Sequence, residues 1–402
     1  LSDAFNAIVA PVPLARQGGP GRGVLSGLRI GVKDNIAVAG VRSTCASAFF
    51  VDDHPADRDA DVVAALKRAG ARITGTLNMA EFAVGVTSQN SVFGGPINPW
   101  NAARVPGGSS GGSGVAVAAG LVDAALGTDT GGSIRLPASC CGVVGLRPTA
   151  GSVSGVGVFP VSPDFDTVGP LARTVDDVRR VFEVLAGVDA TPERARRIAA
   201  PSPFVTADVD PAIAAALGDV VRLLGEIGYE IGDSPVPLAD TAQDVVYTLI
   251  YSDLARIHAD RLAEAPERFH GATFERISLG RAITADQRAA AIGDRDRFRA
   301  AMDDYFAAVD VVLTPTMPVD VPVVSDDPSV LPISRRMGQL SYPWSLHAGP
   351  TLSVPVGFHP ESGMPIGAQL TAAPGREALL FDVAGAIQSR TDWHLRRPPG
   401  VA

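Results

Sequence analysis

Short apolar runs alternate with amphipathic stretches along most of the chain. Residues 28–32 (LRIGV) read as a buried strand. Residues 57–69 (DRDADVVAALKRA) carry apolar positions at helical spacing, acidic residues early and Gly70 as a stop, and so predict a helix. Residues 71–76 follow as a strand, 78–84 as a short helix, and 112–120 as a helix of small residues suited to close packing. Runs at 122–126 and 143–146 predict two more buried strands. Residues 85–111 are rich in Gly, Pro and Asn, lack periodicity and read as loop. The second half is more helical, with amphipathic stretches at 211–227, 240–262 and 285–308. Strands are predicted at 309–313, 351–356 and 366–370, a closing helix at 376–387, and a Pro-rich surface loop at 319–332. Alternation of the two element types predicts an α/β fold, with a central mixed β-sheet covered by helices on both faces. No internal repeat and no linker divides the chain, so residues 1–402 are expected to form one large domain.

The run VPGGSSGGSGVAVAAG at 105–120 is the exception to this pattern. Gly/Ser tracts commonly behave as flexible tethers. A tether lies between self-sufficient domains, yet this one leads directly into apolar helix and strand signals, which favours a site. A phosphate-binding loop would need G-x-x-x-x-G-K-[ST], and the run holds no Lys. Gly107-Gly108-Ser109-Ser110-Gly111 does match G-x-S-x-G, the nucleophile elbow of α/β-hydrolase-type esterases. That motif needs a strand before it, and INPWNAARVP, with Pro99 and Pro106, makes a poor one.

Composition narrows the chemistry. The chain has 402 residues, 46% hydrophobic and 19% charged, which suits a large folded core. Its net charge is −9 and no Lys/Arg run of useful length occurs, so no nucleic-acid partner is expected. Cys45, Cys140 and Cys141 make no C-x-x-C, and the six histidines make no H-E-x-x-H, so no metal is expected. The apolar stretches at 115–125 and 309–313 are too short to span a bilayer. With no signal-peptide pattern at the start, the expectation is a cytoplasmic protein with no membrane contact. Of the 34 basic residues only Lys33 and Lys67 are lysines. Lysine can lose its proton where arginine does not. Lys67 fits the solvated face of a helix, whereas Lys33 ends an apolar strand.

Three separated segments belong together: RIGVKDNI (29–36), PGGSSGGS (106–113) and GTDTGGSIRLP (127–137). With EFAVGVTSQNSVFGGPINPWN and ASCCGVVGLRPTAGSVS beside them, they resemble the amidase signature family over about residues 27–175. Looser similarity runs through DVVLTPTMP, GPTLSVPVG and MPIGAQL. The resemblance implies a Ser–Ser–Lys triad, with Ser133 the nucleophile, Ser109 the bridging serine and Lys33 the base. It also implies a cis peptide between Gly108 and Ser109, and an oxyanion hole made by the backbone N–H groups of Thr130, Gly131, Gly132 and Ser133. Ser110 takes a supporting place, and Asp129 and Arg135 resemble a pair that braces the loop. No cofactor is implied. Substrate choice is expected from a more variable region, about 190–345.

The physics agrees with that assignment. A hydroxyl is a weak nucleophile until a base lies beside it. Neutral lysine can be that base if burial lowers its pKa from about 10.4. The function so implied is hydrolysis of a small linear amide to acid plus ammonia or amine through a seryl acyl-enzyme. The alternative is the A subunit of a glutamine-dependent aminoacyl-tRNA amidotransferase, which residues 79–120 resemble. Against it stand Leu136, where that branch has Gln, a short segment before Lys33, and the acidic chain. In YPWSLHA the family pattern calls for Asn near Ser345 and Gly near Ala348; His347 there is expected in a loop or the core. A homodimer is left open.

Overall fold

In the computed structural model the apolar runs become the strands of one sheet; it describes residues 3–17, 23–189, 191–201, 208–325 and 329–401. The strands are β1 (Ile8–Pro11), β2 (Arg29–Lys33), β3 (Arg72–Leu77), β4 (Ala124–Asp129), β5 (Val144–Arg147) and β6 (Thr167–Ala172). After these come β7 (Arg197–Ala199), β8 (Glu230–Gly232), β9 (Val311–Pro315), β10 (Thr351–Phe358) and β11 (Pro365–Thr371). Their order in the eleven-stranded sheet is β1-β3-β2-β4-β6-β5-β10-β11-β9-β7-β8. Pairing is mixed, parallel for β3–β2–β4 and antiparallel from β4 through β6, β5, β10 and β11 to β9.

Alternation along the strands divides the core between two faces. Ile30 and Val32 of β2, Ala124 and Leu126 of β4, and Leu313 of β9 pack with α1 (Asp61–Arg68) and α4 (Val175–Ala186). Helices α5 (Pro211–Glu226) and α12 (Glu377–Arg390) complete that layer. On the other face, Leu77, Ala125 and Leu171 meet α2 (Gly111–Ala118) and α3 (Arg135–Cys141). Val312 and Ala199 on the same side pack under α6 (Ala242–Ile257) and α9 (Ala285–Ala308). The helices α7 (Ala259–Glu264), α8 (Gly271–Arg281), α10 (Leu331–Gly338) and α11 (Tyr342–His347) lie in the second half.

The sequence pattern locates many of these elements and passes over β1, β6, β7, β8, α3, α4, α8, α10 and α11. Strand β6 contains Gly169 and Pro170, a pair that argues against a central strand. Here Gly169 fits because a Cβ would fall 2.0 Å from Leu146 O. Helix α4 follows β6 directly. Helix α8 mixes its faces, burying Thr273 and Arg276 beside Ile277 while Phe274 and Leu279 are exposed. The helix expected at 78–84 is a single turn, Glu81–Ala83, interrupted at Phe82 with φ of 51°. Of the Pro-rich loop at 319–332, residues 326–328 lie outside the described residues, and Leu331 and Pro332 open α10.

Candidate active site

Strand β2 ends on Lys33, which alternation places on the α2 face, opposite Ile30 and Val32. The side chain is fully buried. Its Nζ lies 2.7 Å from Ser109 Oγ and 2.8 Å from Thr128 Oγ1. Burial pushes the ammonium down to about 7, against the charges of Asp129 and Asp166. Lys33 can therefore be neutral near pH 7. Asp34 turns the other way and accepts from Thr44 N and Thr44 Oγ1.

The Gly/Ser run supplies the middle of the arrangement. The peptide bond between Gly108 and Ser109 is cis. A side chain at Gly108 would meet Gly85 O at 2.5 Å, so glycine is required by contact as well as by sequence pattern. Ser110 Oγ bridges to β4, donating to Thr128 O at 3.2 Å, and Ser113 Oγ donates to Leu126 O at 2.9 Å. These bonds dock the start of α2 onto the strand that leads to Ser133. The segment before the run is not a strand, so the strand–turn–helix geometry of a nucleophile elbow is not formed.

Ser133 sits in the turn between β4 and α3, and its carbonyl accepts from Ser110 N at 3.2 Å. It is half-buried and lines a cavity of about 60 Å³ with Thr130, Gly131 and Leu136. Asp129 shapes this turn from beneath. Its Oδ1 accepts from Gly132 N at 2.8 Å and its Oδ2 from Ile134 N at 3.1 Å. Arg135 donates to both oxygens, at 3.0 and 2.9 Å, and Arg147 Nε lies 3.6 Å from Oδ1. Burial alone would raise the Asp129 carboxyl, but Arg135 and Arg147 together hold it far below the usual carboxylate range. The Gly132 N–H is thus taken up by Asp129. Among the described residues the N–H groups of Thr130, Gly131 and Ser133 have no such partner. Of the four N–H groups that the resemblance implies for an oxyanion hole, those of Thr130, Gly131 and Ser133 thus stay open.

Tyr247, Tyr251 and Tyr342 form the far wall of the cavity, with the Tyr342 hydroxyl donating to that of Tyr247 at 2.9 Å. Arg276 of α8 reaches the same cavity. Thr128, Asp166, Arg147 and Arg276 are site residues that the sequence reading missed. Thr128 lay within a quoted motif, but nothing in its type marks it as a lysine partner. His347 is buried on α11 against Phe306, at 4.8 Å between ring centroids, as expected of a core histidine. Cys140 and Cys141 are likewise buried in α3. Among the described residues no helix is long and apolar enough to cross a membrane.

The Amidase family model matches residues 10–381. The chain belongs to the amidase signature family. The A subunit of the glutamyl-tRNA(Gln) amidotransferase from Roseiflexus castenholzii is 37% identical over 420 residues, covering 93% of this chain and 84% of that one. A crystal structure of an amidase superposes with TM-score 0.88 at 31% identity, covering 96% of this chain and 92% of the other. The A subunit of the Thermotoga maritima glutamyl-tRNA(Gln) amidotransferase gives TM-score 0.87 at 27% identity, covering 99% and 91%. This amidase-signature chain therefore shares its fold with both hydrolases and amidotransferase subunits.

Proposed function

We propose that the chain cleaves a small amide bearing a carboxylate, through an acyl-enzyme on Ser133. In this reading neutral Lys33 takes the proton of Ser109 Oγ as Ser109 takes that of Ser133. Ser133 Oγ then attacks the amide carbonyl. The N–H groups of Thr130, Gly131 and Ser133 receive the charge that develops on oxygen. The proton returns along the same path to the leaving nitrogen, the C–N bond breaks, and water later releases the acid.

The observation that carries the substrate class is Arg276. It is buried, donates to Ala272 O at 2.8 Å and to Ser334 Oγ at 2.6 Å, and lines the cavity of Ser133. No carboxylate among the described residues pairs with it. A guanidinium so placed is a ready partner for a substrate carboxylate. Arg276, Tyr247 and Tyr342 all come from the variable region 190–345.

The amidotransferase relatives favour the second reading, ammonia release within a tRNA-dependent complex, over free hydrolysis. Both readings begin with the same acyl-enzyme, and glutamine is a carboxylate-bearing amide that serves either. The test is ammonia release by the purified chain from glutamine and from matched amides with and without a carboxylate, in the parent and in Arg276→Met. The reading expects Arg276→Met to raise KM for the carboxylate amides tenfold or more, in keeping with about 1.5–3 kcal/mol for a charge-assisted bond. Equal loss on neutral amides would count against it. Turnover by the chain alone favours the amidase, and a strict need for partner proteins favours the amidotransferase.

A further inference from the structure

Asp166, just before β6, lies at the junction of two cavities and has no role in the scheme above. Its Oδ1 accepts from Thr130 Oγ1 at 2.6 Å, and its Oδ2 accepts from Val161 N at 2.8 Å and Ser162 N at 3.1 Å. Thr130 and Val161 both line the cavity of Ser133. On its other side Asp166 lines a second cavity of about 280 Å³ together with Asn35 and Thr128, the latter a partner of Lys33 Nζ.

We propose that Asp166 is a positioning residue that ties the Thr130 turn to the Val161 wall and, by its charge, sets how readily Lys33 exchanges its proton. This rests on the Ser133–Ser109–Lys33 reading. The charged and titratable groups facing Lys33 are Asp129 from β4, Asp166, and Cys45 from the loop after β2. Asp129 is committed to two guanidinium groups. Asp166 has only neutral hydrogen-bond donors, so its charge is the less compensated of the two. The charged groups that face Asp166 are Lys33 and Arg147 of β5. Close by, Ser162 Oγ donates to Asp253, which is itself paired with Arg256 and Arg288. Burial pushes the Asp166 carboxyl up to about 6, against its three hydrogen bonds and Lys33, which leaves it largely ionised at neutral pH.

The test needs no knowledge of the substrate. A fluorophosphonate reports activation of the serine: Ser133 Oγ forms a P–O bond, the P–F bond breaks, fluoride leaves, and the serine proton passes towards Lys33. Labelling rate is followed against pH by intact mass. Asp166→Asn can keep all three hydrogen bonds, since the new amide can donate to the Thr130 hydroxyl, but it removes the charge. Asp166→Asn should move the rise in labelling to lower pH by about one unit, because protonated Lys33 loses a neighbouring carboxylate. Thr130→Val should slow labelling several-fold with the inflection unmoved. Asp166→Glu should keep the parent inflection; if Asp166→Asn does not fold, an Asp166→Glu inflection shifted downward overturns the charge role. An Asp166→Asn inflection equal to or above the parent's overturns the proposal while leaving the triad standing. Unchanged labelling in Ser133→Ala overturns the triad reading itself.

Discussion

Replacing Lys33 by Met should stabilise the fold, and more so in acid than in alkali. Lys33 is fully buried, with its pKa lowered from 10.5 in the unfolded chain to about 7 in the fold. Below about pH 7 both states hold the proton, and the parent bears the whole cost of burying an ammonium. The distance from 10.5 to about 7 corresponds to about 5 kcal/mol. Between those values the unfolded chain binds more protons, so the parent gains stability as pH rises. Above about 10.5 neither state is protonated and the dependence ends. From pH 6 to pH 9 the advantage of Met over Lys should therefore shrink by about 3 kcal/mol. Equilibrium urea unfolding of both proteins, followed through the buried Trp344, measures this at the two pH values. A Met advantage that is independent of pH, or that grows with pH, would refute the reasoning, because Lys33 would then be no more acidic in the fold than outside it.

Two further substitutions test the support around the site. Arg135→Met removes both bonds from Arg135 to Asp129, together with those to Ser341 O and Ser345 Oγ, each 2.8 Å. It leaves Asp129 with Arg147 at 3.6 Å, and should cost about 3–5 kcal/mol in urea unfolding along with most fluorophosphonate labelling. Ala348, where the family pattern calls for Gly, ends α11 with φ of 69°, a conformation that disfavours a Cβ. Ala348→Gly should raise stability by about 1 kcal/mol with activity unchanged, read from the urea midpoint.

The fold was legible where burial follows period. The apolar runs at 28–32, 122–126 and 143–146, and the helix at 211–227, came through because local pattern and tertiary burial agree there. Helix α4 was passed over despite regular apolar spacing between Thr174 and Gly187, and other elements were hidden because tertiary contact overrides pattern. Gly169 and Pro170 form a central strand because Leu146 O leaves no room for a side chain at 169. Helix α8 turns Arg276 inward because it lines a cavity as well as packing Ile277 into the core. In the site, Lys33 was marked by its rarity and Ser109 and Ser133 by their motifs, and the structure brings Lys33 and Ser109 within 2.7 Å. Asp166 and Thr128 gave no signal, since what ties them to the site, Thr130 for the one and Lys33 for the other, is distant in sequence. The engagement of Gly132 N–H by Asp129 was invisible too, because the direction of a backbone donor depends on the shape of the turn.

The central claim is that Ser133 attacks and Lys33 supplies the base. It is tested most directly by amide hydrolysis with the parent, Ser133→Ala and Lys33→Ala, on whichever amide the parent turns over. The account predicts that each variant, folded as the parent is, loses about a thousandfold or more of its kcat. Parent-level turnover in either one would contradict it.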